Sequence, residues 1–269
     1  MRFIKYFLLF TLLTIFQAQS VYADLLITPT RVFFGERDRF AEVTLVNVGD
    51  KAKTYEMSWR FFKMKEIGPS YTPVSGAITE FDLSKHIVFT PRRVTLQPNA
   101  KQKIKLALRR PEEPIPPGDY HIHLGFASLP DPVEQESDNN GRPHAMVTIN
   151  VGYTIPVILR SGPEDVTAKI GRIDIERNQS SGNLKVIVPV SREGGPYSIL
   201  GHLFVYHIEN GREEVVGELS NAHIFPEVNK RIFEVALAKE ISGGSLKVVV
   251  MHYDLEQPRI YAEETFPLN

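Results

Sequence analysis

Residues 146–160 read MVTINVGYTIPVILR, and this stretch decides the fold class of the chain. Apolar side chains alternate in it with small or polar ones on a period of two. Successive side chains of a β-strand face opposite sides, so this period predicts a strand rather than a helix. At roughly 3.3 Å per residue an unbroken strand of this length reaches about 45 Å, far beyond the usual strand. The apolar face comprises Val147, Ile149, Val151, Tyr153, Ile155 and Val157.

The segments on either side of this stretch indicate how such a long strand could be used. A polar segment of low hydrophobicity, DPVEQESDNNGRPHA, occupies residues 131–145 before it, and the turn-like Arg160-Ser-Gly-Pro163 follows it. We read the turn as a hinge between two domains. A long strand that is introduced by a dispensable loop and ends at a domain boundary is a candidate for offering its edge to another protein.

Short alternating segments, separated by turn residues, fill the remainder of the chain. Pro29 interrupts the first of them, which predicts an edge strand or a switch between sheets, because proline cannot donate to a ladder. Asn210-Gly211 predicts a two-residue hairpin. This pattern predicts an all-β fold of two immunoglobulin-like β-sandwich domains, at 24–160 and 161–269. The other predicted strands are 25–34, 40–48, 53–63, 87–96, 102–108 and 120–129, then 169–176, 184–190, 203–209, 213–219, 231–236 and 246–253.

The first 23 residues predict a secretory signal peptide rather than part of the fold. Arg2 and Lys5 precede the apolar run FLLFTLLTIF at 7–16, and Val21-Tyr22-Ala23 forms a cleavage site before Asp24. An apolar run of about ten residues is too short to span a bilayer of about 30 Å as a helix. We therefore expect an exported protein without membrane insertion.

Composition narrows the possible functions. The net charge of −1 gives no argument for nucleic acid or for a polybasic membrane surface. The absence of cysteine excludes disulfides, thiol catalysis and cysteine zinc sites. The sequence contains no GxSxG, HExxH, P-loop or dinucleotide-binding motif, and no recognisable pair of catalytic carboxylates. We expect a protein that is not an enzyme and needs no cofactor.

Two histidines are spaced so that they could share a metal ion. His121 and His123 lie two apart on a predicted strand and so face the same side, and His86 or His144 could in principle add a third ligand. Without a fixed third ligand the pattern suits ordinary strand histidines equally well. We expect no metal site.

Several short segments, in this order along the chain, carry a resemblance to a known family. The mature sequence resembles the periplasmic pilus-assembly chaperones of the chaperone–usher pathway, the PapD-like proteins. The last of the segments is similar to the archaic and alternative branches of that family. The segments are ITPTRVF at 27–33, TLVN at 44–47, the Pro-to-Lys stretch 91–103, the Gly-Asp-Tyr strand 118–129, the long strand ending in Arg160, and IFPEVNKR at 224–231.

The resemblance implies a mode of action. Two immunoglobulin-like domains would meet in an L-shaped arrangement, and the last strand of the first domain would complete an unfinished pilin subunit before delivery to an outer-membrane usher. Val147, Ile149 and Val151 would be the donor residues, with Tyr153 and Ile155 as possible additions. The alternative is that this face packs into the core of its own domain.

The resemblance also implies basic residues that hold the C-terminal carboxylate of the subunit. Arg31 matches the arginine of the family's first strand, although a solvated edge arginine would look the same. The lysine of the family's long strand would fall at Pro156, and no lysine lies between residues 146 and 160. Arg92 and Arg93 are the candidates to replace it, and Arg160 matches an arginine of the domain interface.

A second function remains open. An exported structural or adhesive protein, such as a pilus subunit or a surface-binding module, could be built from the same immunoglobulin-like domains. A pilin would be expected to show one incomplete domain with an N-terminal extension, often with a disulfide. This chain predicts two apparently complete domains and has no cysteine.

Overall fold

The computed structural model describes residues 24–67, 71–76, 80–109, 111–130, 152–178, 182–253 and 258–268. These ranges form strands and turns, so the predicted all-β class is confirmed. They contain no helix that is long and apolar enough to cross a membrane. The predicted signal segment 1–23 and the predicted donor residues Val147, Ile149 and Val151 lie outside the described residues.

The first domain is a sandwich of two sheets. One sheet has the order β1-β3-β9-β7, and the other has the order β2-β11-β10-β4-β8, while β5 and β6 form a separate hairpin. The strands are β1 (Leu25–Thr28), β2 (Val32–Phe34), β3 (Phe40–Asn47), β4 (Lys53–Arg60), β5 (Phe62–Met64), β6 (Tyr71–Pro73), β7 (Ile87–Thr90), β8 (Arg93–Leu96), β9 (Lys101–Leu108), β10 (Gly118–Ser128) and β11 (Gly152–Ser161).

Two prolines of the first domain lie at points where the chain changes sheet. Pro29 separates β1, which pairs with β3, from β2, which pairs with β11 in the opposite sheet. The predicted switch is therefore confirmed. Pro91 does the same between β7 and β8, where the sequence predicted one segment at 87–96. Proline has no N–H to donate to a ladder, which suits Pro29 and Pro91 to the points at which these strands leave their sheets.

The second domain is also a sandwich of two sheets. In one, β12, β13 and β17 all pair with β14, and the other has the order β16-β15-β18-β19. The predicted hairpin is confirmed, because Asn210 and Gly211 join β15 to β16 with φ of 52° and 76°. The strands are β12 (Val166–Ile170), β13 (Asp174–Arg177), β14 (Leu184–Gly194), β15 (Ile199–Glu209), β16 (Arg212–Ile224), β17 (Lys230–Ala236), β18 (Ser245–His252) and β19 (Ile260–Pro267).

The segment predicted as one strand at 169–176 is divided into β12 and β13. The ladder with β14 stops at Ile170↔Val190 and resumes at Asp174↔Ile187. Between these pairs the Gly171 N–H donates to the carbonyl of Pro189 at 2.8 Å, but Pro189 has no N–H to return. The missing donor explains the break. The final strand, β19, carries adjacent glutamates at 263 and 264 and was not predicted.

Each sandwich has its own core, and a third cluster joins the two. The first core draws on residues between Leu25 and Leu159, and the second on residues between Val166 and Tyr261. The third cluster comprises Met64, Ile158, Leu200 and Phe225, all fully or almost fully buried. It combines first-domain and second-domain side chains, so we call this region the domain junction.

A hairpin of the first domain extends into the domain junction. It is formed by β5 and β6, and its Met64 is buried beside Phe225 of the second domain. The Ile232 N–H donates to the carbonyl of Glu66 at 2.9 Å, which ties the hairpin to β17. The sequence had predicted a single strand over 53–63 and no partner for it, so this element was missed.

Candidate functional site

The long strand β11 has one open edge. It pairs with β10 along its whole length, from Gly152↔Ala127 to Ser161↔Gly118. On its other side β2 covers only three residues, from Val157 to Leu159. Within the described residues, 152–156 therefore have no partner strand on that side. Unpaired N–H and C=O groups along such an edge are a template for pairing with another chain.

The side chains of β11 divide between the core and the open edge. Ile155 is only 4% exposed and belongs to the first core together with Val157 and Leu159. Tyr153 is partly buried against that core, whereas Gly152 and Thr154 are exposed. Ile155 thus contributes to the core of its own domain, and we remove it from the candidate donor residues.

Arg31 lies between β1 and β2 and reaches the second domain. Its Nη2 donates to Oδ1 of Asn221 at 2.7 Å and lies 2.8 Å from Nε2 of His223. Its guanidinium stands over the ring of Tyr253, 4.7 Å from the centroid. An arginine on an isolated edge strand would project into solvent. Here the side chain is half-buried and held in one orientation by second-domain groups.

All of these partners of Arg31 are neutral. Burial lowers its pKa from the ordinary arginine value, against an opposing contribution from Tyr253 and Tyr71, and the guanidinium remains charged. Among the described residues no carboxylate forms an ion pair with it, and its buried Nε has no hydrogen-bond partner. A partly desolvated guanidinium without a counter-ion favours the binding of an anion.

Further titratable side chains lie at the domain junction. Together with Arg31 we call them the junction cluster: Arg31, His121, His123, His223, Glu227 and Arg231. Nε2 of His121 lies 3.1 Å from Oε2 of Glu227. Burial raises the pKa of Glu227, but hydrogen bonding and attraction from His121 outweigh it, so the pKa is lowered overall.

Three members of the junction cluster add no negative charge beside Arg31. Arg231 donates from Nε to the Lys65 carbonyl and from Nη1 to the His223 carbonyl, at 3.1 and 3.0 Å. Burial and the neighbouring Arg31 and Arg231 hold the pKa of His223 well below the ordinary histidine value. Burial and His121 lower the pKa of His123 to about 3. Within the described residues, the junction cluster therefore carries more positive than negative charge, with Glu227 as its carboxylate.

The structure does not bring Arg92 and Arg93 to Arg31. Arg93 begins β8, which is the opposite edge of the sheet that starts with β2. Four inter-strand spacings of about 4.8 Å separate these edges by roughly 19 Å. Arg93 is exposed and pairs with Glu56 at 2.9 Å, while Arg92 is exposed beside Phe89. Their anchor role stays a prediction that the geometry does not support.

Arg160 lies where the two domains join. Its Nε and Nη2 both donate to the carboxylate of Asp119 at 2.7 Å, and it also pairs with Glu164. Asp119 is fully buried and accepts the backbone N–H of Ser198 in the second domain at 2.8 Å. The guanidinium of Arg160 also stands over the rings of Phe33 in β2 and Tyr197 in the second domain.

Within the described residues, His121 and His123 pack against aromatic rings. No group of three or more His, Asp or Glu side chains in the described ranges is arranged to hold a metal ion. His121 stacks on Phe225 at 4.0 Å, and His123 lies between the rings of Phe62 and Tyr71 at 4.9 Å each. His144 lies outside the described residues.

Sequence reasoning missed three side chains of this site. Asn221, His223 and Tyr253 contact Arg31 from positions about 190 or more residues later in the chain, a separation that carries no local signal. The conspicuous feature of Asn221 is its positive φ of 60°, which asparagine tolerates better than most residues. The stretch 224–231 had been noticed, but only for its resemblance.

Comparison with known proteins gives distant similarities. No family model and no curated protein matches the sequence. The structure is similar to the CupB2 chaperone of Pseudomonas aeruginosa, at 14% identity and a TM-score of 0.48, over 91% of this chain and 100% of that one. It is similar to a chain of the CsuC–CsuE chaperone–tip adhesion subunit complex of Acinetobacter baumannii, at 14% identity and a TM-score of 0.46, over 90% of this chain and 98% of that one. It is also similar to the E. coli chaperone DraB, at 15% identity and a TM-score of 0.45, over 91% of this chain and 95% of that one. Likeness at this level says nothing about function.

Proposed function

We propose that this chain is a periplasmic chaperone of the chaperone–usher type, which binds incomplete pilin subunits and delivers them to an outer-membrane usher. The observation that carries the proposal is the open edge of β11 at residues 152–156. This edge leads back into the alternating stretch 146–151, whose sequence predicts the continuation of the same strand. The chain acts by binding rather than by catalysis.

Strand addition supplies the affinity in this proposal. A subunit that lacks one strand exposes both a hydrophobic groove and unpaired backbone groups, which is an aggregation hazard. The open edge of β11 pairs with those backbone groups, and alternate side chains enter the groove. Val147, Ile149 and Val151 are the proposed donor residues, with Tyr153 at the margin. Each fully buried Val or Ile would contribute roughly 1.5–3 kcal/mol.

Arg31 supports the proposal as the anchor of the subunit's C-terminal carboxylate. Its guanidinium lies beside β2, the strand that pairs with β11 next to the open edge. It is partly desolvated and has neutral partners, which strengthens a charge-assisted bond to an incoming carboxylate. A carboxylate bound at Arg31 would set the register of the subunit strand along β11.

The first test places a charge on each face of the predicted donor strand. The chain is co-expressed with a tagged pilin subunit encoded beside it, as wild type, Ile149→Asp and Asn150→Asp. We expect a one-to-one complex for the wild type and for Asn150→Asp. We expect its loss for Ile149→Asp, because a buried carboxylate without a partner is costly. Size-exclusion chromatography of the tagged complex measures the result.

The matched pair of variants separates the mechanism from general damage. Asn150→Asp adds the same charge one residue away, on the face that the alternation assigns to solvent. Equal loss in both variants, or in neither, would contradict donor-strand binding. The adhesive or structural module would then become the better interpretation of two immunoglobulin-like domains.

A further inference from the structure

Asn221 holds Arg31 without neutralising it. Its Oδ1 accepts the hydrogen bond from Nη2 of Arg31, so the oxygen of the amide faces the guanidinium. The amide nitrogen keeps both of its N–H groups, and it has no partner among the described residues. An aspartate at this position would form an ion pair with Arg31 and remove the charge that an anion needs. An asparagine orients the arginine and leaves its charge free.

Asn221 is also accessible to a ligand. Its side chain is exposed, in contrast to the buried His223 two residues later. Its backbone has a φ of 60°, which departs from the regular extended conformation of β16. Nη1 of Arg31 likewise makes no hydrogen bond within the described ranges. The pair thus presents one charged and one neutral N–H donor.

The first domain does not supply a second cationic donor at the position where the resemblance implies one. The position at which the resemblance implies a lysine is Pro156, whose cross-strand partner is His123 of the junction cluster. Proline offers no donor, and burial together with His121 lowers the pKa of His123, so that side chain is neutral near neutral pH. Neither residue can replace a lysine as a cation. The available donor lies across the junction, on β16.

We propose that Asn221 of the second domain supplies the second contact to the subunit's C-terminal carboxylate, beside Arg31. This inference rests on the proposed function. The carboxylate accepts a charge-assisted bond from Arg31 and a neutral bond from the amide nitrogen of Asn221. The anchor is therefore composite, with one group from each domain, and it exists only while the domains keep their relative position.

The test compares two asparagines that share an unusual backbone conformation. Asn221→Asp introduces a carboxylate beside Arg31, and Asn210→Asp makes the same change at a residue whose φ is 52°. Asn210 lies at the far end of the β15–β16 hairpin, up to about 36 Å away at about 3.3 Å per residue. Asn221→Gly removes the amide and tolerates the positive φ, so it tests the contact without adding charge.

The probe is the pilin subunit encoded beside this chain, used in two forms. One has its natural C-terminus, and the other carries two added glycines, which displace the carboxylate by up to about 7 Å. We expect Asn221→Asp to weaken binding of the natural subunit by about tenfold to hundredfold, the range for a hydrogen bond to a charged group. Asn221→Gly should weaken it less, and Asn210→Asp should leave it unchanged. None of these differences should appear with the extended subunit.

The outcomes separate this inference from the function on which it rests. If the wild-type chain forms no complex, the proposed function fails and the anchor fails with it. If the complex forms and Arg31→Ala weakens it, but both Asn221 variants bind like Asn210→Asp, the composite anchor is overturned and the function stands. Thermal unfolding of all variants checks that they fold. If Asn221→Asp is unstable, binding by Asn221→Gly decides whether Asn221 contacts the carboxylate.

Discussion

His123 is a buried histidine enclosed by aromatic rings. It is 4% exposed, its Nδ1 has no hydrogen-bond partner, and the rings of Phe62 and Tyr71 meet it edge-on. Burial first, and the neighbouring His121 second, lower its pKa to about 3, while Glu227 opposes this shift. The sequence marked His123 as a possible ligand, whereas the structure makes it a neutral packing residue.

This environment predicts a loss of stability in acid. An unfolded histidine has a pKa of about 6.5, so below that pH the unfolded chain binds a proton that folded His123 does not accept. Stability is therefore lost as the pH falls from about 6.5 towards 3. With a folded pKa of about 3, the loss from this residue at pH 5 is about 2 kcal/mol.

His123→Leu should reduce that pH dependence. Urea unfolding at pH 7.5 and pH 5 measures the difference in the free energy of unfolding for the wild type and the variant. We expect the difference to shrink by about 2 kcal/mol in the variant, with a remainder from His223, whose pKa is also lowered by burial. An unchanged difference would show that His123 titrates alike in the folded and unfolded chain.

At the scale of elements, the β5–β6 hairpin is the part that the sequence did not predict. Its residues 62–64 and 71–73 are too few to show a period of their own. The hairpin is held through the burial of Met64 against Ile158, Leu200 and Phe225. Those partners lie about 94 or more residues later in the sequence, so no local pattern reports them.

Met64→Ala should weaken the connection between the domains. Deleting a buried methionine side chain costs about 2–5 kcal/mol when the cavity does not collapse. The control is Ile67→Ala in the same hairpin, where the side chain is 65% exposed and the expected change is within about 0.5 kcal/mol. Thermal and urea unfolding measure both variants. Similar stabilities for the two would mean that the hairpin contributes little to the junction.

Prolines show which boundaries of elements the sequence could predict. The switch at Pro29 was predicted because proline cannot donate to a ladder. The same reason explains Pro91 and the break opposite Pro189, yet both positions were included in continuous segments. The alternation of buried and exposed side chains can continue on both sides of such a proline. The sequence pattern then does not show that the strand has changed its pairing partner.

At the scale of the whole molecule, Arg160 and Asp119 connect the two domains. Asp119 is fully buried, accepts two donors of Arg160 and also binds Ser198 of the second domain. Removing one member of a buried ion pair costs about 3–5 kcal/mol, because the other charge is left without compensation. The composite anchor requires a set distance between Arg31 and Asn221, so it depends on this connection.

Arg160→Ala should broaden the distribution of domain orientations. The chain has no cysteine, so spin labels on Lys101→Cys and Glu263→Cys report one distance between the domains. Pulsed electron paramagnetic resonance should show a wider distance distribution for Arg160→Ala than for the wild type. Arg177→Ala breaks an exposed pair with Glu240 within the second domain and should leave the distribution unchanged. Equal widths for both variants would remove Arg160 from control of the orientation.

By itself, the sequence determined the fold class and the places of most strands. Both depend on local chemistry, namely the period of two and the turn residues. Arg31 was singled out by the resemblance of its segment to a family, and its anchor role stays a prediction. The tertiary structure alone decided which sheet each strand joins, which edge of β11 stays open, that Ile155 belongs to the core, and that Arg31 meets Asn221. Those features arise from contacts between residues far apart in the chain. Sheet membership, the open edge and the burial of Ile155 are set by packing within a sandwich, and the contact of Arg31 with Asn221 is set by how the two sandwiches meet.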